Sequence, residues 1–298
     1  MSSSGQSHTQ DHRKPTTSKR KPNVNSKPPR KVSKSYRQRK VESSRFGIVY
    51  DIEGPRVRLG FAWFVVACLT IWAGLWPFAL LIASVAALAA AQISTQLRTR
   101  WRRPNRVVVA AFGGMLPLSA AVNPKLFGGV TIVFAIASVV AELGRPTAAA
   151  SPLLSASAMV RSWLNVGLAG ATWVALYQID IGAAFCLLLL ISAYEVGDFL
   201  VGSGAGNPIE GPAAGLLALA VVAAALLVVE PAPFEGNSLL VFAMGAGLAA
   251  PLGQVVASAI LPRAGADARA LRRLDSYLVA APVWLVLFWA GLHTAGVA

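Results

Sequence analysis

Residues 76–95 read WPFALLIASVAALAAAQIST, and residues 96–106 that follow read QLRTRWRRPNR. The first stretch is a run of twenty positions without a charge. At 1.5 Å per residue, a helix of that length spans about 30 Å, the thickness of a bilayer's hydrocarbon core. The second stretch places arginines at 98, 100, 102, 103 and 106. An uncharged run closed by an arginine cluster is the pattern of a membrane-spanning helix ending at the headgroup layer.

The same reading extends outward in both directions. From Leu59 onward nine apolar runs lie near 59–74, 76–95, 107–122, 127–143, 157–176, 180–198, 212–230, 238–260 and 276–295. Their breaks are marked chemically by Trp76-Pro77, Asn123-Pro124-Lys125, Gly144-Arg145-Pro146 and Pro231-Ala232-Pro233. Small residues fill their interiors, as at Ala86, Ala87 and Ala89 to Ala91 or Gly245 to Gly247, which suits close helix packing in lipid. The expectation is an all-α polytopic membrane protein with about nine transmembrane helices in residues 57–298, preceded by a disordered basic tail in residues 1–56.

Charge is distributed to match. The 298 residues carry 27 Lys and Arg against 13 Asp and Glu, but residues 1–58 hold 15 of the basic and 4 of the acidic ones. The remaining 240 residues hold 21 charges, far too few for the surface of a soluble globular enzyme. Long unbroken apolar runs, without alternation, exclude an outer-membrane barrel. The tail is rich in Ser, Thr, Pro and Gln and lacks the apolar surface to offset ordering of its backbone. Two readings of it stay open: an anchor on anionic membrane lipid, and a segment that binds RNA or a protein partner. A single aromatic residue, Tyr36, stands among the basic residues of 13–45, so nucleic acid is not an expected partner.

Orientation follows from the loops. With the tail cytoplasmic, the cytoplasmic loops carry the arginines at 98, 100, 102, 103 and 106, then Arg145, then Arg263, Arg269, Arg272 and Arg273. The opposite loops carry one basic residue, Lys125, beside Glu230 and Glu235. That asymmetry implies a protein of the cytoplasmic membrane with its N-terminus inside and its C-terminus outside. Cys68 and Cys186 lie inside apolar runs and read as packing thiols. His8, His12 and His293 form no cluster with acids, so a histidine metal site is not expected.

Two segments on the cytoplasmic side carry chemistry. Residues 194–212, YEVGDFLVGSGAGNPIEGP, hold three carboxylates around a glycine-rich turn, with Gly202, Gly204, Gly206 and Asn207 available to approach a phosphate. Residues 261–276 hold Arg263, Arg269, Arg272 and Arg273 and then Asp275 at the entry to the last span. Carboxylates at such a boundary suit Mg²⁺, and arginines suit phosphate oxygens. Glu195, about one turn inside from Asp198, is the costliest placement, since a carboxylate within the membrane is a functional candidate by default.

These segments resemble the phosphatidate cytidylyltransferase (CDP-diacylglycerol synthase) family over roughly residues 180–285. Asp198 with Gly202 resembles the first part of its signature, Asn207-Pro208-Ile209-Glu210-Gly211 a shortened second part, and Arg273-Leu274-Asp275-Ser276 with Ala280-Ala281-Pro282-Val283 the end. The resemblance implies CTP-dependent formation of a CDP-activated lipid from phosphatidate. It implies Asp198, Glu210 and Asp275 as catalytic residues, and Mg²⁺ on Asp198 and Asp275. It further implies Gly202, Gly204, Gly206, Asn207, Arg263, Arg269 and Arg273 as nucleotide contacts. Expected partners are anionic lipid, CTP, phosphatidate and a second copy of the chain. The sequence departs from the family where Gly253-Gln254 stands for Gly-Asp, Ala257-Ser258 for Glu-Ser and Pro262-Arg263 for Lys-Arg. No Lys-Lys precedes Glu210, no His-Gly-Gly precedes the end, and Arg272 stands where an Asp belongs. Two other readings therefore stand beside the transferase: a non-catalytic lipid-binding or regulatory relative with the same fold, and a transporter using Glu195 and Asp198. An ion pair between Arg272 and Asp275 would favour the non-catalytic reading, because the carboxylate would then be satisfied without a metal.

Overall fold

The computed structural model describes residues 56–294, apart from 101, 145–150, 206 and 235–237. The expected disordered tail lies outside the described residues. Nine α-helices occur among the described residues: α1 (Arg56–Ala73), α2 (Leu75–Leu97), α3 (Arg106–Val122), α4 (Leu126–Leu143), α5 (Pro152–Ile179), α6 (Ile181–Gly202), α7 (Glu210–Val229), α8 (Ser238–Ile260) and α9 (Tyr277–Thr294). A single 3₁₀ turn, Leu271–Arg273, precedes α9. Five of the helices, α2, α4, α6, α7 and α8, are long and apolar enough to cross a membrane. The chain is thus a helical, multi-pass membrane protein. Large apolar side chains stand exposed along α4 (Ile132, Val133, Ile136, Val140) and α7 (Leu217, Val221, Val228, Val229), a surface that lipid, unlike water, solvates without cost.

The longest helix is also the least apolar of the interior. α5 carries Arg161, Ser162, Asn165 and Gln178 and packs against α2, α3, α4, α6 and α9. A helix enclosed by other helices need not match the hydropathy of one that faces lipid, provided its polar groups find partners. They do. Gln178 donates to the carbonyls of Ala120 and Ala121, Arg161 donates to the Ala259 carbonyl, and the Ser162 hydroxyl bonds back to Ala158. Trp163 donates its indole N–H to the Ser138 hydroxyl of α4 at 3.0 Å. Trp173 stacks on Tyr277 of α9 with ring centroids 4.1 Å apart, and Phe78 of α2 meets it edge-on at 5.3 Å.

Local chemistry sets the helix ends. The sequence places the first break at Trp76-Pro77, whereas the chain turns at Gly74, whose φ of 116° only glycine adopts without strain. Pro77 falls in the first turn of α2, where its missing N–H has no intrahelical partner to lose. Asn105 caps α3 by accepting from the N–H groups of Val107 and Val108, and Asp180 caps α6 by accepting from Ala183.

Hydrogen bonds between distant segments sort the helix ends into two groups. At one end, Gln96 of α2 donates to the Asp267 carbonyl, Gln92 accepts from the Ala270 N–H, and the Arg103 N–H reaches the Ser155 hydroxyl of α5. This joins the α2–α3 loop, the start of α5 and the α8–α9 loop. At the other end, Tyr177 of α5 donates to the Ile71 carbonyl of α1, and Gln178 reaches the last turn of α3. Consecutive helices therefore run in alternating directions through this part of the bundle, and the arginine-bearing loops lie together.

Glycine permits the closest contacts. A Cβ at Gly113 would lie 2.8 Å from the Ala90 Cβ and 3.1 Å from the Ala86 carbonyl oxygen, so α3 rides directly on α2. By contrast, a Cβ at Gly128 on α4 would meet nothing within 4 Å. Gly113→Ala is expected to lower stability by about 1–3 kcal/mol through overpacking. Gly128→Ala should be neutral or stabilising by up to about 1 kcal/mol from helix propensity. Thermal unfolding of the two purified variants in one detergent tests the contrast.

Candidate functional site

The polar residues of the bundle concentrate where the last turns of α6 and α8 meet the entry to α9. In α6, Tyr194 and Asp198 are four residues apart and share one face. Both are buried, Asp198 with 2% of its surface exposed. They meet Gln254 of α8, also buried. Tyr194 donates its hydroxyl to Gln254 Oε1 at 3.3 Å, and Gln254 Nε2 donates to Asp198 Oδ2 at 2.9 Å. One amide, using both of its ends, thus joins a phenol to a carboxylate across two helices. Gly253 makes the third helix accessible, because any Cβ there would collide with the carbonyl oxygens of Asp275 and Ser276.

Asp275 stands just before α9. Its Oδ1 accepts the Ser276 N–H at 2.9 Å, and its Oδ2 lies 3.8 Å from an Arg272 guanidinium nitrogen. Arg272 is held in turn by the Ala264 carbonyl at 2.6 Å. Burial pushes the Asp275 carboxyl up from its ordinary value to about 6, while Arg272 and the Ser276 N–H pull down and the charge of Asp198 adds to the rise. Glu195 lies within electrostatic reach of Asp275, Arg273 and Asp198. The buried Ser276 hydroxyl lies within hydrogen-bonding influence of the Glu195 carboxyl group, so these two buried groups meet at the same junction.

Of the residues expected to form the site, Asp198 and Arg273 both lie within electrostatic reach of Asp275. Glu210 does not share their burial: it is exposed in the first turn of α7, where a carboxylate suits the helix dipole. Gly202 is buried as the last residue of α6, Gly204 is open with nothing within 4 Å of a Cβ, and Gly206 lies outside the described residues. Asn207 uses its side chain to accept the Ile209 N–H at 3.3 Å, a turn contact ahead of α7. Arg263 is exposed, and Arg269 pairs at 3.4 Å with Asp267, both largely in solvent. The contribution of Tyr194 and Gln254 had one trace in the sequence, an amide standing where the resembled signature has a carboxylate.

Mg²⁺ takes oxygen ligands at about 2.1 Å in octahedral geometry. Here Asp198 faces an amide N–H and Asp275 faces a guanidinium, each already a donor. Among the described residues no group of three or more His, Cys, Asp or Glu side chains is arranged to hold a metal ion. Both carboxylates that the resemblance assigns to Mg²⁺ thus have a protein donor beside them. What the arrangement does instead is neutralise and fix buried carboxylates with protein donors. No protein-family model and no curated protein matches the chain.

Gln254→Leu should cost about 1–3 kcal/mol, because it leaves the buried Asp198 carboxyl without this donor and the Tyr194 hydroxyl unpaired. Gln254→Glu turns the donor into a second carboxylate facing Asp198. Its loss is expected to be at least as large, and added Mg²⁺ should recover part of it while leaving the wild type unchanged. Melting temperatures with and without Mg²⁺ measure all three proteins.

Proposed function

We propose that the chain is a divergent, non-catalytic relative of the phosphatidate cytidylyltransferases, a lipid-binding or regulatory membrane protein that keeps the helical scaffold without nucleotidyl transfer. One observation carries this reading. Both carboxylates that the resemblance assigns to a metal have protein partners, Gln254 for Asp198 and Arg272 for Asp275. Nucleotidyl transfer needs the developing phosphate charge neutralised, and a metal supplies several kcal/mol toward this. An arginine beside Asp275 instead consumes the negative charge that would hold such a metal. Purified protein given CTP, Mg²⁺ and phosphatidate is expected to release no pyrophosphate. Release above the level of a heat-inactivated sample would restore the transferase reading.

The same proposal sets the protein in the cytoplasmic membrane with nine spans, the N-terminus and the arginine-bearing loops inside. The loop arginines that lie together at one end of the bundle support it through the positive-inside rule. In a background of Cys68→Ser and Cys186→Ser, a cysteine introduced at exposed Asp267 should react with an impermeant maleimide only after the cytoplasmic face is opened. One introduced at exposed Lys125 should react in intact cells. The reverse pattern would invert the topology.

A further inference from the structure

Two loops about 170 residues apart in the chain are stitched into one surface. Gln92 Oε1 accepts the Ala270 N–H at 2.9 Å and Gln96 Nε2 donates to the Asp267 carbonyl at 2.9 Å, so the last turns of α2 hold the α8–α9 loop directly. The α2–α3 loop continues that surface, closed on itself by paired backbone bonds between Thr99 and Arg102 and tied to α5 through Arg103 and Ser155. Arg98, Arg103, Arg106, Arg263 and Arg269 all stand exposed on these loops. Against them, Asp267 is the acid the two loops expose, and Arg269 already pairs with it.

Exposed apolar side chains border the same arginines. Val107 follows Arg106 with 76% of its surface exposed, and Leu153 and Leu154 open the first turn of α5, next to Ser155 that anchors Arg103. Guanidinium groups give paired donors that match phosphate oxygens. A partner that offers phosphates beside hydrocarbon is a phospholipid; a nucleic acid or an acidic peptide offers the charge without the adjoining apolar surface. We propose that the stitched α2–α3 and α8–α9 loops form a docking platform for anionic phospholipid headgroups of the leaflet they border, with Val107, Leu153 and Leu154 reaching the acyl boundary. The platform names the lipid for the lipid-binding role proposed above, and it stands whether or not nucleotide is turned over, so the pyrophosphate assay and the test below fail separately.

The test uses the full chain reconstituted into nanodiscs of phosphatidylcholine with a minor share of phosphatidylglycerol, with the lipid retained after detergent extraction measured by native mass spectrometry. The wild type is expected to retain phosphatidylglycerol several-fold above its share, and less as salt is raised. Replacing Arg98, Arg103, Arg106, Arg263 and Arg269 by Gln should abolish the enrichment. A Gln92→Ala, Gln96→Ala variant keeps every charge but cuts the stitches, and should lose a large part of it. Equal retention of the two lipids by the wild type overturns the proposal. So does full enrichment in the glutamine-to-alanine variant, which would reduce the platform to a count of charges. Enrichment that survives the arginine substitutions would assign the lipid to the tail and overturn it equally.

Discussion

A carboxylate inside a membrane bundle has no bulk water to solvate it, so its donors must come from the protein. Asp198 meets this constraint with the Gln254 amide, and the amide's other end takes the Tyr194 hydroxyl. That one side chain binds α6 to α8 through a polar contact. Its position depends on Gly253, which lets α8 come up against the carbonyls that open α9. A hydrogen bond to a charged group is worth more than a neutral one, and orphaning the charge costs more still. The three helices at this end are therefore locked by chemistry as well as packing.

Asp275 solves the same problem differently. Its partners are its own neighbours, the Ser276 N–H and the Arg272 guanidinium one turn earlier, so it closes the entry to α9 locally. The result is a polar junction in which Asp198 and Asp275 are answered by an amide, a guanidinium and a backbone N–H. Such a junction suits a scaffold that persists unchanged better than a site that must admit a charged nucleotide. The α5 helix carries the same logic through the rest of the bundle, spending its polar groups on carbonyls at the ends of α3 and α8 while its tryptophans fill the interior.

The ends of the helices divide the labour. The junction of α6, α8 and α9 and the arginine loops lie at one end, joined by the path from Asp275 through Arg272 to Ala264 and from Asp267 to Gln96. Surface charge and buried charge are thus only a loop apart. The loop is fixed at both sides, toward α2 by Gln92 and Gln96 and toward the interior by Arg272.

Composition and hydropathy alone determined that this is a helical membrane protein, because a twenty-residue uncharged run has few other stable fates and its period leaves little choice of structure. The breaks at Asn123-Pro124 and before Asp180 and the arginine loops were legible for the same reason: each depends on residues close in sequence. The turn at Gly74 was not, since Pro77 is the louder breaker and only backbone geometry shows that it sits harmlessly in a first turn. Nor was the exposure of Glu210 or the partnership of Gln254 with Tyr194 and Asp198, sixty and fifty-six residues apart. Which donor answers a buried acid is set by where helices cross, and crossing depends on glycines such as Gly113 and Gly253 whose need for space is a property of the neighbour they touch. The sequence supplied the charges; the packing decided which of them meet.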